Sequence, residues 1–337
     1  MFSRVERVLQ GSCGVWFTGA VARIEHRGCV VFEKAYGVTR ADGLGRPVYL
    51  DTRFDIASLT KLFVTTLALQ AVEEELLTLD QSLVQWFPEW IGKAHERITL
   101  RMLLAHTSGM NSGADFRQLF NENVGRYAIE RELVTIPGEH VIYSDLGFIA
   151  LGVLLERLYN ASLRVLVRQA LRGDYTPAYR ERQWIPATEE DGWRGRVQGI
   201  VHDEKAYLMN GVAGHAGLFG TASDVAWLTE NYLAAIHRRA SSIAYELVRE
   251  AVREQAYDPV LRRGLGWALK TSDKNSCGHY FSPGSFGHTG FVGTCVWADP
   301  VHDVQAVLLT NAVYFGRKDI RDLRAAFYDT VIEDLGT

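Results

Sequence analysis

The chain has 337 residues, of which 47% are hydrophobic and 23% charged, as in an ordinary globular protein that can bury a large core. Its formal net charge of -4 gives no electrostatic reason to expect a nucleic acid or an anionic membrane as a partner. No run of about 18 uncharged apolar residues occurs, so no membrane-spanning helix is expected.

The cysteines and the N-terminus favour a reducing compartment. Cys13, Cys29, Cys277 and Cys295 form no CxxC pair and lie in apolar surroundings, so reduced, buried thiols are expected rather than disulfides. The first residues carry neither the apolar core nor the small-residue cleavage site of a signal peptide. These features predict a cytoplasmic location.

The first third of the chain has the pattern of a short helix, a β-hairpin and a buried helix. Residues 1–10 are predicted to form the short helix, and the β-rich runs Val15–Glu25 and Cys29–Tyr36 are joined by a link of three residues. A polar, glycine-containing stretch follows. The next helical run, from Ser58 to about Leu76, is apolar around nearly its whole circumference and is therefore expected to be buried.

The middle of the chain is predicted to be helical and the last third returns to strand character. Residues 172–200 show little periodicity and are expected to be irregular surface. The predicted helices are Leu100–Leu104 with Thr99 as its cap, Leu146–Leu158, Ala222–Ile236 and Lys318–Leu335; the predicted strands are Leu265–Lys270, His288–Trp297 and Val304–Asn311. Strands at both ends with helices between them imply one sheet built from distant segments, with the terminal helices on one face and the middle helices on the other.

The first chemical signal is Ser58-Leu59-Thr60-Lys61. Positions three apart on a helix share a face, so the hydroxyl of Ser58 and the ammonium of Lys61 can meet, and a helix N-terminus would stabilise a developing oxyanion. A capping serine with a solvated lysine is the ordinary alternative. Against it, Lys61 lies in an otherwise apolar helix, where an unpaired charge is costly.

The second signal is Tyr143-Ser144-Asp145, after a Pro-Gly turn and before an apolar helix. Tyr143 is either a core aromatic or a general base. A free phenol ionises near pH 10, so a tyrosine base needs a neighbouring cation. One unit charge at about 4 Å, with an effective dielectric of about 20, contributes about 4 kcal/mol, so Lys61 would suffice if it approaches that closely.

The third signal is His288-Thr289-Gly290 in a predicted strand, followed by Phe291. Glycines at this point allow a ligand or another backbone to come close, although a bent strand with a surface histidine is the alternative. Together the three motifs, with Leu103–Gly109 and Gly214–Phe219, resemble the serine β-lactamase and penicillin-binding-protein superfamily. The closer likeness is to its class C-like branch of esterases, peptidases and amidases, and it extends from about residue 15 to about residue 330.

The resemblance implies an α/β (α+β) fold of the β-lactamase/transpeptidase type, with an antiparallel sheet of about five strands flanked by helices. Residues 1–57 and 216–337 would form the sheet region and residues 58–215 the mainly helical region, with the active site in the cleft between them. The resemblance also implies the catalytic set Ser58, Lys61 and Tyr143. An acyl-enzyme would form on Ser58, and the N–H groups of Ser58 and Phe291 would make the oxyanion hole.

The predicted substrate-binding residues are Asp145, His288, Thr289 and Gly290, and two of them depart from the family pattern. Asp145 replaces the usual asparagine and could pair with Lys61, which would weaken the effect of Lys61 on Tyr143. His288 replaces the lysine of β-lactamases, and a neutral histidine offers no fixed charge to a substrate carboxylate. Both changes favour esterase or amidase chemistry over penicillin turnover.

The expected activity is hydrolysis of an ester or amide, with a small molecule or an imported peptidoglycan fragment such as a muropeptide as substrate. A β-lactamase or D,D-carboxypeptidase is the first alternative, and a non-catalytic binding protein is the second. No cofactor is expected. No metal is expected either, since the His202-Asp203-Glu204 run and His215 lack the spacing of a metal motif. The oligomeric state is left open.

Overall fold

The computed structural model describes residues 2–113, 116–172, 174–175 and 179–336. Within this part of the chain the α-helices are α1 (Ser3–Ser12), α2 (Thr60–Glu73), α3 (Leu100–Leu104), α4 (Val124–Glu130), α5 (Asp145–Tyr159), α6 (Leu163–Ala170), α7 (Glu204–Leu208), α8 (Ala222–Ile236), α9 (Tyr245–Val252) and α10 (Arg321–Leu335). The strands are β1 (Gly19–His26), β2 (Cys29–Gly37), β3 (Phe54–Asp55), β4 (Glu189–Asp191), β5 (Gly195–Val197), β6 (Phe219–Gly220), β7 (Ala268–Leu269), β8 (Phe286–Thr289), β9 (Cys295–Asp299) and β10 (Val304–Thr310).

The main sheet has the strand order β2-β1-β10-β9-β8-β7, and every neighbouring pair is antiparallel. Strands from near both ends of the chain thus meet inside the sheet, where β1 pairs with β10. This is the predicted antiparallel sheet assembled from distant segments. The boundaries proposed for the sheet region and the helical region stay a prediction.

The sheet has six strands where about five were expected. His288–Trp297 was predicted as one strand, but β8 ends at Thr289 and β9 begins at Cys295, so the segment is a hairpin. The turn depends on two glycines. A Cβ on Gly290 would lie 2.7 Å from the Ile56 carbonyl oxygen, and Gly293 has the left-handed φ of 120°.

Helices cover both faces of the sheet, as predicted. Along β1, Ala20 and Ala22 pack in one core cluster with α1 and α10, while Val21 faces the other cluster with α2, α5 and α8. The two terminal helices are also joined directly, since the N–H groups of Arg4 and Val5 donate to Asp334 at 2.8 and 3.1 Å. No single described helix is long and apolar enough to cross a membrane. Only α5 and α6 taken together, with a bend of 79° between them, have the length and the apolar composition of a membrane-spanning segment.

The helix after Ser58 begins two residues later than predicted. Residues Ala57–Leu59 form a 3₁₀ turn, and α2 starts at Thr60 and ends at Glu73. Every residue of α2 from Thr60 to Leu69 is buried, which confirms the expectation from its apolar circumference. Ser58 is therefore presented at the mouth of a buried helix rather than within it.

Three local expectations were wrong. The strand predicted at Leu265–Lys270 is only the two residues of β7. The segment 172–200, expected to be irregular, contains the hairpin β4–β5, although residues 173 and 176–178 of that segment lie outside the described residues. All four cysteines are free thiols, as expected, but only Cys277 and Cys295 are buried, whereas Cys13 is half-buried and Cys29 is exposed.

We expect Gly293→Ala to lower the free energy of unfolding by about 3 kcal/mol or more. The left-handed backbone strains any side chain, and the new Cβ would lie 2.7 Å from the Cβ of Ala312 and still closer to Thr310 Oγ1. Gly316→Ala is the matched control, because Gly316 also has a positive φ of 104° but has no heavy atom within 4 Å of its would-be Cβ. Only the backbone strain, about 1–2 kcal/mol, applies there. Urea unfolding measures both, and equal losses would contradict the steric explanation.

Candidate active site

Ser58 is held in a strained turn that Asp55 supports. Ala57, just before Ser58, has the left-handed φ of 47°, which is unusual for a residue with a side chain. The buried carboxylate of Asp55 accepts from the N–H of Ala57 at 2.8 Å and from the N–H of His202 at 2.7 Å. Burial raises the pKa of Asp55 to about 6, although these two hydrogen bonds act in the opposite direction. Asp55 therefore links the Ser58 turn to the segment at His202.

Lys61 is fully buried and uses three hydrogen bonds to hold its charge. Its Nζ donates to Ser58 Oγ at 3.1 Å, to Asp145 Oδ1 at 3.0 Å and to the His215 carbonyl oxygen at 3.2 Å. An ammonium has three N–H donors, so this count is complete. The contact between the hydroxyl and the ammonium that the spacing predicted is present.

The surroundings of Lys61 keep it protonated. Burial acts to lower the pKa of Lys61, but the charge of Asp145 and the contact with Tyr143 outweigh it, so the pKa lies above its ordinary value. The ammonium is therefore a fixed positive charge beside Ser58 near neutral pH. It can stabilise negative charge there, whereas a neutral amine would be needed for it to accept a proton.

Asp145 belongs to a closed ring of contacts that the sequence did not reveal. Its Oδ1 faces Lys61, and its Oδ2 lies 3.3 Å from the Nζ of Lys205. Lys205 approaches Asp203 at 3.8 Å, and Asp203 Oδ1 lies 2.7 Å from His215 Nε2. The ring closes through the His215 carbonyl that Lys61 reaches. Asp145 thus pairs with Lys61, and a second cation shares its charge.

The charge balance of this ring was missed because its members stand in different sequence motifs. His202-Asp203-Glu204 and His215 were considered only as metal ligands. In the structure, Asp203 caps α7 by accepting from the N–H of Ala206 at 2.8 Å. Lys205 lies in the first turn of this helix, where its Nζ reaches Asp145. The signal in the sequence was Asp145, which replaces the asparagine of the family motif. A buried carboxylate at that position calls for a second cation in addition to Lys61.

Asp145, Asp203 and His215 also form a group whose ligand atoms lie within 4.8 Å of one another. Such a group could hold a metal ion by distance alone. However, both carboxylates already face the Lys205 ammonium, and Asp145 faces Lys61 as well. A divalent cation would be repelled by two ammonium groups, so these donors fit an ion-pair network better than a metal site.

Tyr143 lies between the cations and an aromatic support. The Lys61 Nζ is 4.8 Å from the centroid of the Tyr143 ring, and the Arg263 Cζ is 5.2 Å from it. The ring of His106 packs against Tyr143 at 4.6 Å, and His106 Nδ1 accepts from the N–H of Ser144 at 3.0 Å. His106 therefore fixes the loop that carries Tyr143. Two positive charges flank Tyr143, where the sequence predicted one.

His288 is buried and neutral. Burial, followed by the positive charges of Lys61 and Arg263, lowers the pKa of His288 to about 3. Its Nδ1 lies 2.8 Å from the Thr289 carbonyl oxygen, which can only accept, so the proton is on Nδ1. The Nε2 is then a buried acceptor that no described residue pairs. His288 offers no positive charge near neutral pH.

The turn after β8 lies directly against the Ser58 segment. Thr294 Oγ1 donates to the Ile56 carbonyl at 3.1 Å, and a side chain on Gly290 would collide with that same carbonyl. Val292 packs with Ala57 in a small apolar cluster. These contacts bring the backbone of Phe291 to the turn of Ser58. Among the described residues, no acceptor is hydrogen-bonded to the Phe291 N–H.

A cleft of about 790 Å³ brings most of the predicted site together. The Lys61 and Asp145 side chains are not among its lining residues and lie beneath its floor, behind Ser58. Positively charged side chains outnumber negative ones on its walls. The predicted residues that line it are Ser58, Tyr143, His288, Thr289, Gly290 and Phe291, and the charged ones are Arg263, Lys274, Arg317, Lys318, Asp319, Arg321 and Arg324.

We expect Lys205→Met to lower the free energy of unfolding by about 3 kcal/mol at pH 7, because Asp145 and Asp203 lose the cation between them. In the Asp145→Asn background the same change should cost at least about 1 kcal/mol less, since one of the two carboxylates is then neutral. Urea unfolding of the four proteins measures this coupling. Lys93→Met, at an exposed lysine, is the control and should change stability by less than about 0.5 kcal/mol. If the losses of stability from Lys205→Met and Asp145→Asn simply add in the double variant, the two side chains do not interact and the ring of contacts is contradicted.

Comparison with known proteins agrees with the motifs. The sequence model of the family described as Beta-lactamase matches residues 5–329. An N-acetylmuramyl-L-alanine amidase of Bacillus subtilis (strain 168) is 30% identical, over 91% of this chain and 80% of the relative. A putative D-alanyl-D-alanine carboxypeptidase of Escherichia coli (strain K12) is 29% identical, over 84% of this chain and 75% of the relative.

Two solved structures share the fold. EstCE1, a hydrolase with promiscuous acyltransferase activity, superposes with a TM-score of 0.78 at 20% identity, over 96% of this chain and 97% of its own. The D-alanine carboxypeptidase AmpC from Burkholderia cenocepacia superposes with a TM-score of 0.76 at 20% identity, over 98% of both chains. The β-lactamase/transpeptidase-like fold predicted from the sequence is confirmed. The chain belongs to the beta-lactamase family and is a serine hydrolase.

Proposed function

We propose that the chain is an amidase or esterase that forms a covalent acyl-enzyme on Ser58. The observation that carries this proposal is the buried ammonium of Lys61, 3.1 Å from Ser58 Oγ and 4.8 Å from the Tyr143 ring. A fixed cation beside both groups stabilises negative charge that develops there during the reaction. No other lysine side chain of the described residues is hydrogen-bonded to a hydroxyl that lines the cleft.

The proposed reaction has two steps. In the first, the Tyr143 phenolate accepts the proton of Ser58 as Oγ attacks the acyl carbonyl, and it returns that proton to the leaving amine or alcohol. In the second, water attacks the acyl carbon of the ester on Ser58 and gives a proton to Tyr143. The bond from that carbon to Oγ then breaks, Tyr143 returns the proton to Oγ, and the acid product leaves. The N–H groups of Ser58 and Phe291 stabilise the oxyanion in both steps. Lys61 keeps its proton throughout.

We propose peptidoglycan-derived fragments, such as muropeptides, as the substrate class. The name of the Bacillus subtilis relative, an N-acetylmuramyl-L-alanine amidase, supports this class. The cationic walls of the cleft support it too, because the peptide part of a muropeptide carries carboxylates. A cytoplasmic site of action, expected from the sequence, would suit imported fragments, and fractionation of the producing cells tests it.

The alternatives make different demands on the same cleft. A D,D-carboxypeptidase is supported by the name of the Escherichia coli relative. A β-lactamase is supported less, because neutral His288 lacks the charge that the family's lysine gives to a β-lactam carboxylate. A non-catalytic binding protein would need a disabled nucleophile, whereas Ser58 keeps its contact with Lys61.

A fluorophosphonate probe is expected to label the protein at Ser58, because the Lys61 ammonium stabilises the serine alkoxide. Ser58→Ala should abolish labelling, which intact-protein mass spectrometry measures. Thr60→Ala, which removes a neighbouring buried hydroxyl, is the control and should keep the label. Labelling that survives in Ser58→Ala would overturn the assignment of the nucleophile, and an unlabelled native protein at every pH would favour the binding protein.

Short-chain nitrophenyl esters are expected to turn over faster than a penicillin or a cephalosporin between pH 5 and pH 8. Because the pKa of His288 lies at about 3, its ring stays neutral over this whole range and the preference should not reverse within it. Steady-state kcat/KM values for both substrate types at three pH values measure this. A β-lactam that is the better substrate would favour the β-lactamase alternative.

A further inference from the structure

Arg263 is a buried cation that no carboxylate pairs. Its side chain lies just before β7 and is 8% exposed. Within the described residues its Nε has no hydrogen-bond partner, and no carboxylate forms an ion pair with its guanidinium. Burial lowers the pKa of Arg263, while the side chain of Tyr143 and, after it, Asp258 act in the opposite direction. An arginine stays charged near neutral pH, so the guanidinium keeps its N–H donors available to an anion.

Two other arginines on the cleft wall donate to acceptors of the protein. Arg317 Nη2 donates to Glu189 at 2.7 Å and to Glu204 at 2.9 Å. Arg324 Nη2 donates to the Gly290 carbonyl oxygen at 2.8 Å. These side chains have structural partners, whereas the guanidinium of Arg263 has aromatic contact alone. Arg324 Nε is also unpaired, but among these three arginines only Arg263 has a guanidinium with no hydrogen-bonded acceptor in the described residues.

Arg263 lies beside the reacting groups rather than at the cleft entrance. It lines the same cleft as Ser58 and His288, and its Cζ is 5.2 Å from the centroid of the Tyr143 ring. Its charge is also felt at His288, whose ring lies 6.2 Å from that of Tyr143. An anion bound at Arg263 would thus belong to the molecule whose carbonyl is attacked by Ser58.

We propose that Arg263 binds a carboxylate of the acyl substrate, so that the enzyme selects acyl groups that carry a negative charge. The planar guanidinium presents parallel N–H donors that match the two oxygens of a carboxylate, and pairing would offset the penalty of its burial. Arg263, beside the same Tyr143 ring, supplies the positive charge that His288 does not provide. This assignment rests on the proposed hydrolysis at Ser58 and adds a substrate class to it.

The kinetic test compares two esters that differ in one group, mono(4-nitrophenyl) glutarate and 4-nitrophenyl pentanoate. The native enzyme should have the higher kcat/KM on the glutarate. Arg263→Met should lower kcat/KM on the glutarate by about 10- to 100-fold, mainly through KM, because one charged contact is lost. Any effect of Arg263 on Tyr143 acts on both esters alike, so the ratio of kcat/KM for the glutarate to kcat/KM for the pentanoate should fall by about 10- to 100-fold. Arg263→Lys, which keeps the charge but not the planar pair of donors, should fall between the two.

A binding test separates this proposal from the proposed hydrolysis. In Ser58→Ala, which cannot form an acyl-enzyme, calorimetry with glutaryl-4-nitroanilide should show binding at least about tenfold tighter than with pentanoyl-4-nitroanilide. Adding Arg263→Met should remove that difference. Turnover of either ester by Ser58→Ala would count against the hydrolytic mechanism without touching the binding result.

Two further results decide the role of Arg263. Arg249→Met removes an exposed positive charge on α9 and is the control for net charge; it should leave both esters and both anilides unchanged. If Arg263→Met lowers kcat equally on both esters and shifts the pH profile, Arg263 acts on the Tyr143 phenolate and the proposal is overturned. A native enzyme that prefers the pentanoate, or equal binding of the two anilides, overturns it as well.

Discussion

The site depends on one interaction, the burial of the Lys61 ammonium with three acceptors. These acceptors come from three separate parts of the chain: Ser58 in the 3₁₀ turn, Asp145 at the start of α5, and the His215 carbonyl before β6. A buried ammonium that loses any of them pays a desolvation penalty of several kcal/mol. The same contacts that stabilise Lys61 therefore also position Ser58 relative to the helical part of the chain.

Asp145 changes the electrostatics of this interaction and explains why a second lysine is present. An asparagine at this position would be neutral, whereas Asp145 brings a full negative charge to Lys61. If Asp145 faced Lys61 alone, its charge would cancel most of the field that the ammonium exerts on Ser58. Lys205, held in place by the Asp203 cap of α7, takes up part of that charge. Lys205 and Asp203 thus help the Lys61 ammonium to keep its effect on Ser58, although they lie far from Ser58, Lys61 and Asp145 in the sequence.

Local patterns in the sequence predicted those parts of the site that lie on single elements. The apolar circumference of α2 identified Lys61 as buried, and the spacing of Ser58 and Lys61 placed their polar atoms in contact. The fold class was also accessible, because strands near both ends of the chain leave few arrangements other than one shared sheet. The hairpin within His288–Trp297 was missed because continuous β-propensity hides a turn that depends on two glycines.

What the sequence could not supply was the pairing of charges between distant segments. Arg263 stands in a run with no motif, and whether a cation there is solvated, paired or unpaired depends on which loops pack around it. The family motif points to His288 as the residue that would bind a substrate carboxylate, but His288 is neutral. The cation near the same Tyr143 ring is Arg263, whose Nε has no hydrogen-bond partner among the described residues. The proposed preference for an anionic acyl group therefore depends on where Arg263 lies in the folded chain. It does not depend on which residue stands at the motif position of His288.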